Sequence, residues 1–198
     1  MKPIERSEIL GLAEYERVRD PFRARVIAEK KLRRVPLGPK ASALFENRDT
    51  VMLQIQEMLR TERITREAAV QHEIDTYNEL LPGPGELSCT LMIEIPDKEE
   101  RDAFLVQARG FEKHVWLVAG SQRIASRSVD RIGADERTTA VHYLRFRLPP
   151  PLIEALRGAA TGHETLTHLE LEVDHPAYLE RAVLPAETIL QLAEDLAT

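Results

Sequence analysis

Leu81-Pro82-Gly83-Pro84-Gly85 divides the chain into two patterns. Upstream, Val51, Met52, Ile55, Met58 and Leu59 fall on one helical stripe. Val70, Ile74, Tyr77 and Leu81 then follow at intervals of four, three and four. Downstream, Leu87, Cys89, Leu91, Ile93 and Ile95 alternate with Ser88, Thr90, Met92 and Glu94, the spacing of a strand with one apolar face. The prolines remove backbone donors, so helical structure ends there. An α-rich segment therefore precedes a β-rich one.

Working outward, Asp20-Pro21 reads as a helix start, with the helix running to about Leu32 and stopping before Pro36. Val35–Leu37 and Ala43–Phe45 read as short extended pieces around a turn. Asp49 and Thr65 open two helices whose short connection favours an antiparallel pair. After the break, Asp97 caps a helix, residues 115–119 and 122–129 read as strands, and Gly133–Glu136 reads as a surface loop. Thr139–Leu148 and Leu169–Val173 alternate as strands, and Pro185–Leu196 closes as an amphipathic helix. The fold expected is α+β, one domain over residues 1–198, with a helix-rich part to residue 85 and a sheet-rich part from 86 that ends in a helix. Its N-terminal helices, including the antiparallel pair, should pack on one face of a mainly antiparallel sheet. The face carrying Leu91 and Phe146 is the expected partner of the pair.

At 198 residues, 43% hydrophobic and 30% charged, the chain is ordinary for a globular protein. No apolar run reaches the roughly 20 residues that span a bilayer, and no apolar signal core follows Met1, so no membrane partner is expected. A single cysteine, Cys89, excludes an intrachain disulfide and fits a reducing cytoplasm. The net charge of −6 divides into about +1 before residue 86 and −7 after it, which disfavours general nucleic-acid binding. Residues 17–34 are the exception, with eight basic and two acidic side chains. Arg23, Arg25, Lys30 and Lys31 there could meet an acidic partner, or form a solvated helix face.

Several familiar constellations are absent or fail. No phosphate loop, dinucleotide fingerprint or nucleophile elbow is present. In His163-Glu164-Thr165-Leu166-Thr167-His168 the second histidine stands five positions after the first, about 100° off the face a zinc protease needs. His168, Glu170 and Glu172, with His175 nearby, could converge on a metal but read more simply as a polar strand face. Cys89 reads as a small hydrophobe.

His142 stands out because it shares a strand face with Ala140, Leu144 and Phe146. A buried imidazole needs partners. Glu57, Arg60, Glu62, His72 and Glu73 on the facing helices could supply them. That constellation could bind a metal or relay a proton, or it could be one satisfied core histidine. Glu62 with Arg66 and Arg63 with Glu67 have the spacing of helical surface pairs.

The stretch from Asn47-Arg48-Asp49-Thr50-Val51 through Gln54–Ile64 resembles a bacterial family known as a domain of unknown function, number 3501. Tyr77-Asn78-Glu79-Leu80-Leu81-Pro82, Leu91–Ile95, Val141–Phe146 and His175-Pro176-Ala177-Tyr178 carry the same likeness, which covers nearly the whole chain. Members are commonly encoded beside rubrerythrin and iron–sulfur oxidoreductase genes. The resemblance brings no catalytic residues, cofactor or metal. It implies a redox or peroxide-stress setting, with those neighbours as possible protein partners. The leading expectation is an accessory protein that contacts such a partner. The rival is a metal-binding protein or small-molecule enzyme built on His142.

Overall fold

A computed structural model describes residues 1–129, 137–160 and 168–197 of the chain. The Gly133–Glu136 loop and His163–Thr167 lie outside the described residues. After a short 3-10 turn at Arg6–Glu8 come α1 (Leu12–Arg33), β1 (Arg34–Leu37), β2 (Ala41–Phe45), α2 (Arg48–Thr61) and α3 (Glu67–Asn78). The Pro-Gly-Pro-Gly break follows, and Gly85, at φ +69°, turns the chain into β3 (Glu86–Ile93). Then come α4 (Lys98–Gln107), β4 (Val115–Ala119), β5 (Gln122–Ser128), β6 (Val141–Arg147), α5 (Pro150–Ala160), β7 (Glu170–His175), β8 (Tyr178–Val183) and α6 (Ala186–Ala197).

The eight strands are joined in the order β1-β2-β3-β6-β5-β4-β7-β8, and every pairing is antiparallel. Strand β5 makes the corner. Its first half, Gln122–Ala125, pairs with β4, and its second, Ser126–Ser128, pairs with β6. The sheet curls until its two edges meet. There the Tyr178 hydroxyl donates to the Leu37 carbonyl at 2.5 Å and accepts from the Lys40 amide at 3.0 Å. Gly38 (φ +67°) permits this approach, because a Cβ there would stand 2.5 Å from the Tyr178 hydroxyl.

One consequence corrects the expected packing. Leu87, Cys89 and Leu91 of β3, with Leu144 and Phe146 of β6, point into the curled sheet and meet Leu117, Leu171 and Val173 from its other half. Residues of α4, α5 and α6 join that core. The antiparallel pair α2–α3 lies on the opposite face. Val51, Ile55 and Leu59 of α2, with Val70 and Ile74 of α3, form a second core that includes Ile4 and Ile9 and reaches Tyr143. A curled sheet covers its own inner face with other strands, so the helical pair takes the outer one.

Helix α1 also differs from expectation, running through Pro21 rather than starting there. Pro21 cannot donate to the Arg17 carbonyl, and it lies on the exposed side of the helix with Arg17, where the loss is tolerated. Tyr15 and Arg19 fasten the extra turns to α2 through Glu57. At its other end the buried Arg33 clasps Asp195 of α6 at 2.6 and 2.9 Å and Glu29 at 3.1 Å. The cap of α2 is Asn47 rather than Asp49. Its side chain accepts from the Thr50 amide at 2.9 Å.

Candidate functional site

The internal constellation expected around His142 does not assemble. Its ring is fully buried in the inner core, stacked 5.9 Å from Phe111, with Nε2 3.3 Å from the Thr138 hydroxyl. Alternation along β6 turns it away from α2 and α3. Glu57 instead links α1 to α2, accepting from Tyr15 at 2.8 Å and from Arg19 at 2.7 and 2.8 Å. The Arg19 guanidinium holds the Glu57 carboxyl below the usual range, while burial, then Glu57, pushes the Tyr15 hydroxyl up. Arg60 pairs with Glu16 at 2.7 Å, and Glu62 is an exposed C-terminal cap. Glu73 and His72 line one cleft, and Arg60 lines another with Glu16. Arg6, not Arg63, is the ion-pair partner of Glu67.

The polar face of β7 is consumed by arginines. Arg123, stacked 4.2 Å over Trp116, reaches Glu172 at 2.5 Å and Asp174 at 2.7 Å. Arg181 takes Glu170 at 3.2 Å and also Glu172. The Arg123 guanidinium holds the Asp174 carboxyl down at about 2. His175 points the other way, accepting from the Ala177 amide at Nδ1 (3.1 Å), with Nε2 3.1 Å from the Arg109 carbonyl. Cys89 is buried in the inner core, where burial pushes its thiol up. Among the described residues, no three His, Cys, Asp or Glu side chains are grouped to hold a metal ion.

Two surfaces stand out among the described residues. The first is α1, whose basic run divides in two. Arg19, Arg25 and Arg33 are bound to Glu57, Asp49 and Asp195. Arg17, Arg23, Lys30 and Lys31 enter no ion pair among the described residues, and all but the half-buried Lys30 are exposed. Arg25 is thus taken from the expected partner-binding set by Asp49, and Arg17 joins it.

The second is a cleft of about 550 Å³ between the C-terminal half of α3 and the ends of β5 and β6. Tyr77, Tyr143, Leu80 and Val129 form its walls, with His72, Glu73, Asp75, Thr76 and Glu79 around them. A narrow crevice with no room for a water molecule adjoins it, sharing Leu80, Val129 and Tyr143 and reaching Ser88, Thr90 and Glu46. Glu46, 3% exposed, accepts from Thr50, from Thr90 and from Gln54 at 3.2 Å, all neutral donors. Periodicity alone does not single out this carboxylate. The signal was a lone Glu between Phe45 and the Asn47 cap, opposite polar strand positions.

Comparisons with known proteins agree on the fold. The family described as "Protein of unknown function (DUF3501)" matches residues 3–196. A solved structure of a protein of unknown function from Burkholderia pseudomallei K96243 is similar at 34% identity and a TM-score of 0.89. The match covers 98% of this chain and 100% of that one. No curated protein matches. Among the described residues no helix is long and apolar enough to cross a membrane.

Proposed function

This chain belongs to the DUF3501 family, and from that premise we propose that it is an accessory protein that docks on an acidic surface of a partner through α1. The observation that carries the reading is the division of the basic run. The cations the fold needs are buried or paired, and Arg17, Arg23, Lys30 and Lys31 are left over. Arg23 and Lys30 stand about 10 Å apart along one flank, two helical turns, at 1.5 Å per residue. Cations held on a rigid helix steer an acidic partner and set its orientation. The partners to test first are the rubrerythrins and iron–sulfur oxidoreductases that the family resemblance implies, which would place the protein in cytoplasmic redox or peroxide-stress chemistry.

The test uses purified protein and the purified rubrerythrin and iron–sulfur oxidoreductase of the same genome. Binding to one of them should weaken at least about tenfold in R23E/K31E and fall with added salt, as expected of charge-led docking. Arg25 is left intact because Asp49 uses it. Binding to neither protein, or binding indifferent to charge reversal, overturns the reading.

A further inference from the structure

We propose that His175 is an acid-sensitive lock on the seam where the curled sheet closes. Protonation of its ring loosens the β7–β8 turn and withdraws Tyr178 from the β1–β2 hairpin. The inference does not depend on the partner reading, since none of the cations left over on α1 takes part.

The strand order ends in β1 on one side and in β8 on the other, so no ladder joins the two edges. The Tyr178 side chain spans the seam instead. Its hydroxyl bonds Leu37 and Lys40, and its ring packs against Phe104 and Phe111 at 5.7 and 6.0 Å. Tyr178 is the first residue of β8, and the residue opposite it across the turn is His175. Whatever holds that turn therefore holds the seam.

His175 holds it from within. The residue is 6% exposed. Nδ1 accepts from the Ala177 amide and so carries no proton. Nε2 faces the Arg109 carbonyl, which can only accept, and so carries one. The two contacts specify a single neutral tautomer. A second proton, on Nδ1, sets a donor against the Ala177 donor and puts a charge on a ring 6.0 Å from Phe111. The charged and titratable side chains on the elements around it are Glu112, Lys113 and His114 of the 3-10 turn Phe111–His114, Arg109 before it, Glu180 of β8 and Lys40 of the hairpin. Of these only His114 meets the ring, edge-on at 4.9 Å, and His142 of β6 stacks on Phe111 instead. Asp174, the preceding residue, is taken by Arg123 and His114. Among the described residues, then, no carboxylate accepts the new N–H. The closed form keeps Nδ1 unprotonated and the open form binds a proton there, so lowering the pH favours opening.

The test is residue-resolved NMR of the full chain from about pH 7.5 to pH 5, the range in which imidazoles titrate. Hydrogen exchange, expressed as protection factors, is read at the Ala177 and Lys40 amides, which donate at the turn and at the seam, and at Leu91 and Leu144 of the β3–β6 pair. Protection at Ala177 and Lys40 should fall at least about tenfold towards pH 5, while that at Leu91 and Leu144 holds. H175Q, whose side chain donates and accepts but does not titrate, should give a flat profile, and H114Q should keep the fall. Imidazole nitrogen shifts of the parent give a second readout that needs no variant. His175 should pass from the Nε2–H tautomer to the imidazolium over the same range in which protection is lost. The proposal is overturned if protection at the seam does not fall, or if it falls equally at Leu91 and Leu144. It is also overturned if H175Q keeps the fall, if H114Q abolishes it, or if the His175 ring is still neutral where protection is lost.

Discussion

On β3 and β6 the inward residues are Leu87, Cys89, Leu91, His142, Leu144 and Phe146, whereas the outward ones include Ser88, Thr90, Tyr143 and Arg145. The same strands supply both faces, and consecutive residues enter different environments. The inner face is closed by other strands and carries the largest apolar burial. On these two strands the inward imidazole, His142, is confined by Phe111 and Thr138. The outer face is closed by α2 and α3 less completely, and the gap left beside α3 is the cleft. A lone polar residue on an apolar face is therefore a poor guide to a site here. The better guide is the polar face, where Glu46, Thr90 and Tyr143 gather under a helix that does not cover them fully.

Three substitutions sharpen that contrast. The largest effect belongs to the inner face: F146A should cost about 3–5 kcal/mol, read as a fall in the urea midpoint. A loss under about 1 kcal/mol would mean that the inner face is not the core. On the outer face, E46A removes the acceptor of the Thr90 hydroxyl and should cost about 1–3 kcal/mol by the same measurement, because a buried donor is left unpaired. An unchanged midpoint would show that the Glu46 network does not hold α2 to the sheet. The smallest effect lies at Asp174, on the outer surface of the sheet's other half. Its carboxyl is held at about 2 against an ordinary value near 3.8, so its contribution is fully present above about pH 4 and is lost as pH falls through 2. D174N should flatten the acid limb of the stability profile in that window. An unaltered acid limb would remove Arg123–Asp174 from the account.

Much of the architecture was legible because strand alternation and helical stripes are local. Most strands, the Asp97 cap and the closing helix follow from periods and caps alone. The side of the sheet that α2–α3 would cover was not legible. Both faces of β3 are buried, and the choice depends on the sheet curling to bring Tyr178 against Leu37, a contact between residues 141 apart. Strand β8 was missed because Leu179 and Val183 face solvent beside Arg181, a pattern without an apolar face. Pro21 misleads for a related reason: tertiary anchors at Tyr15 and Arg19 extend the helix upstream of a local start signal. The site residues failed as a set because their grouping assumed the wrong face. Of them Glu73 borders one cleft and Arg60 another, so no cavity gathers the set.

The central claim is that β6 presents Tyr143, not His142, to α3. Thermodynamic double-mutant cycles test it most directly, pairing Tyr77 of α3 with each residue in turn and replacing each by Leu. The account predicts a coupling of about 0.5 kcal/mol or more for Tyr77 with Tyr143, and additivity within about 0.3–0.5 kcal/mol for Tyr77 with His142. Coupling to His142 with none to Tyr143 would reverse the faces of the strand and contradict the account.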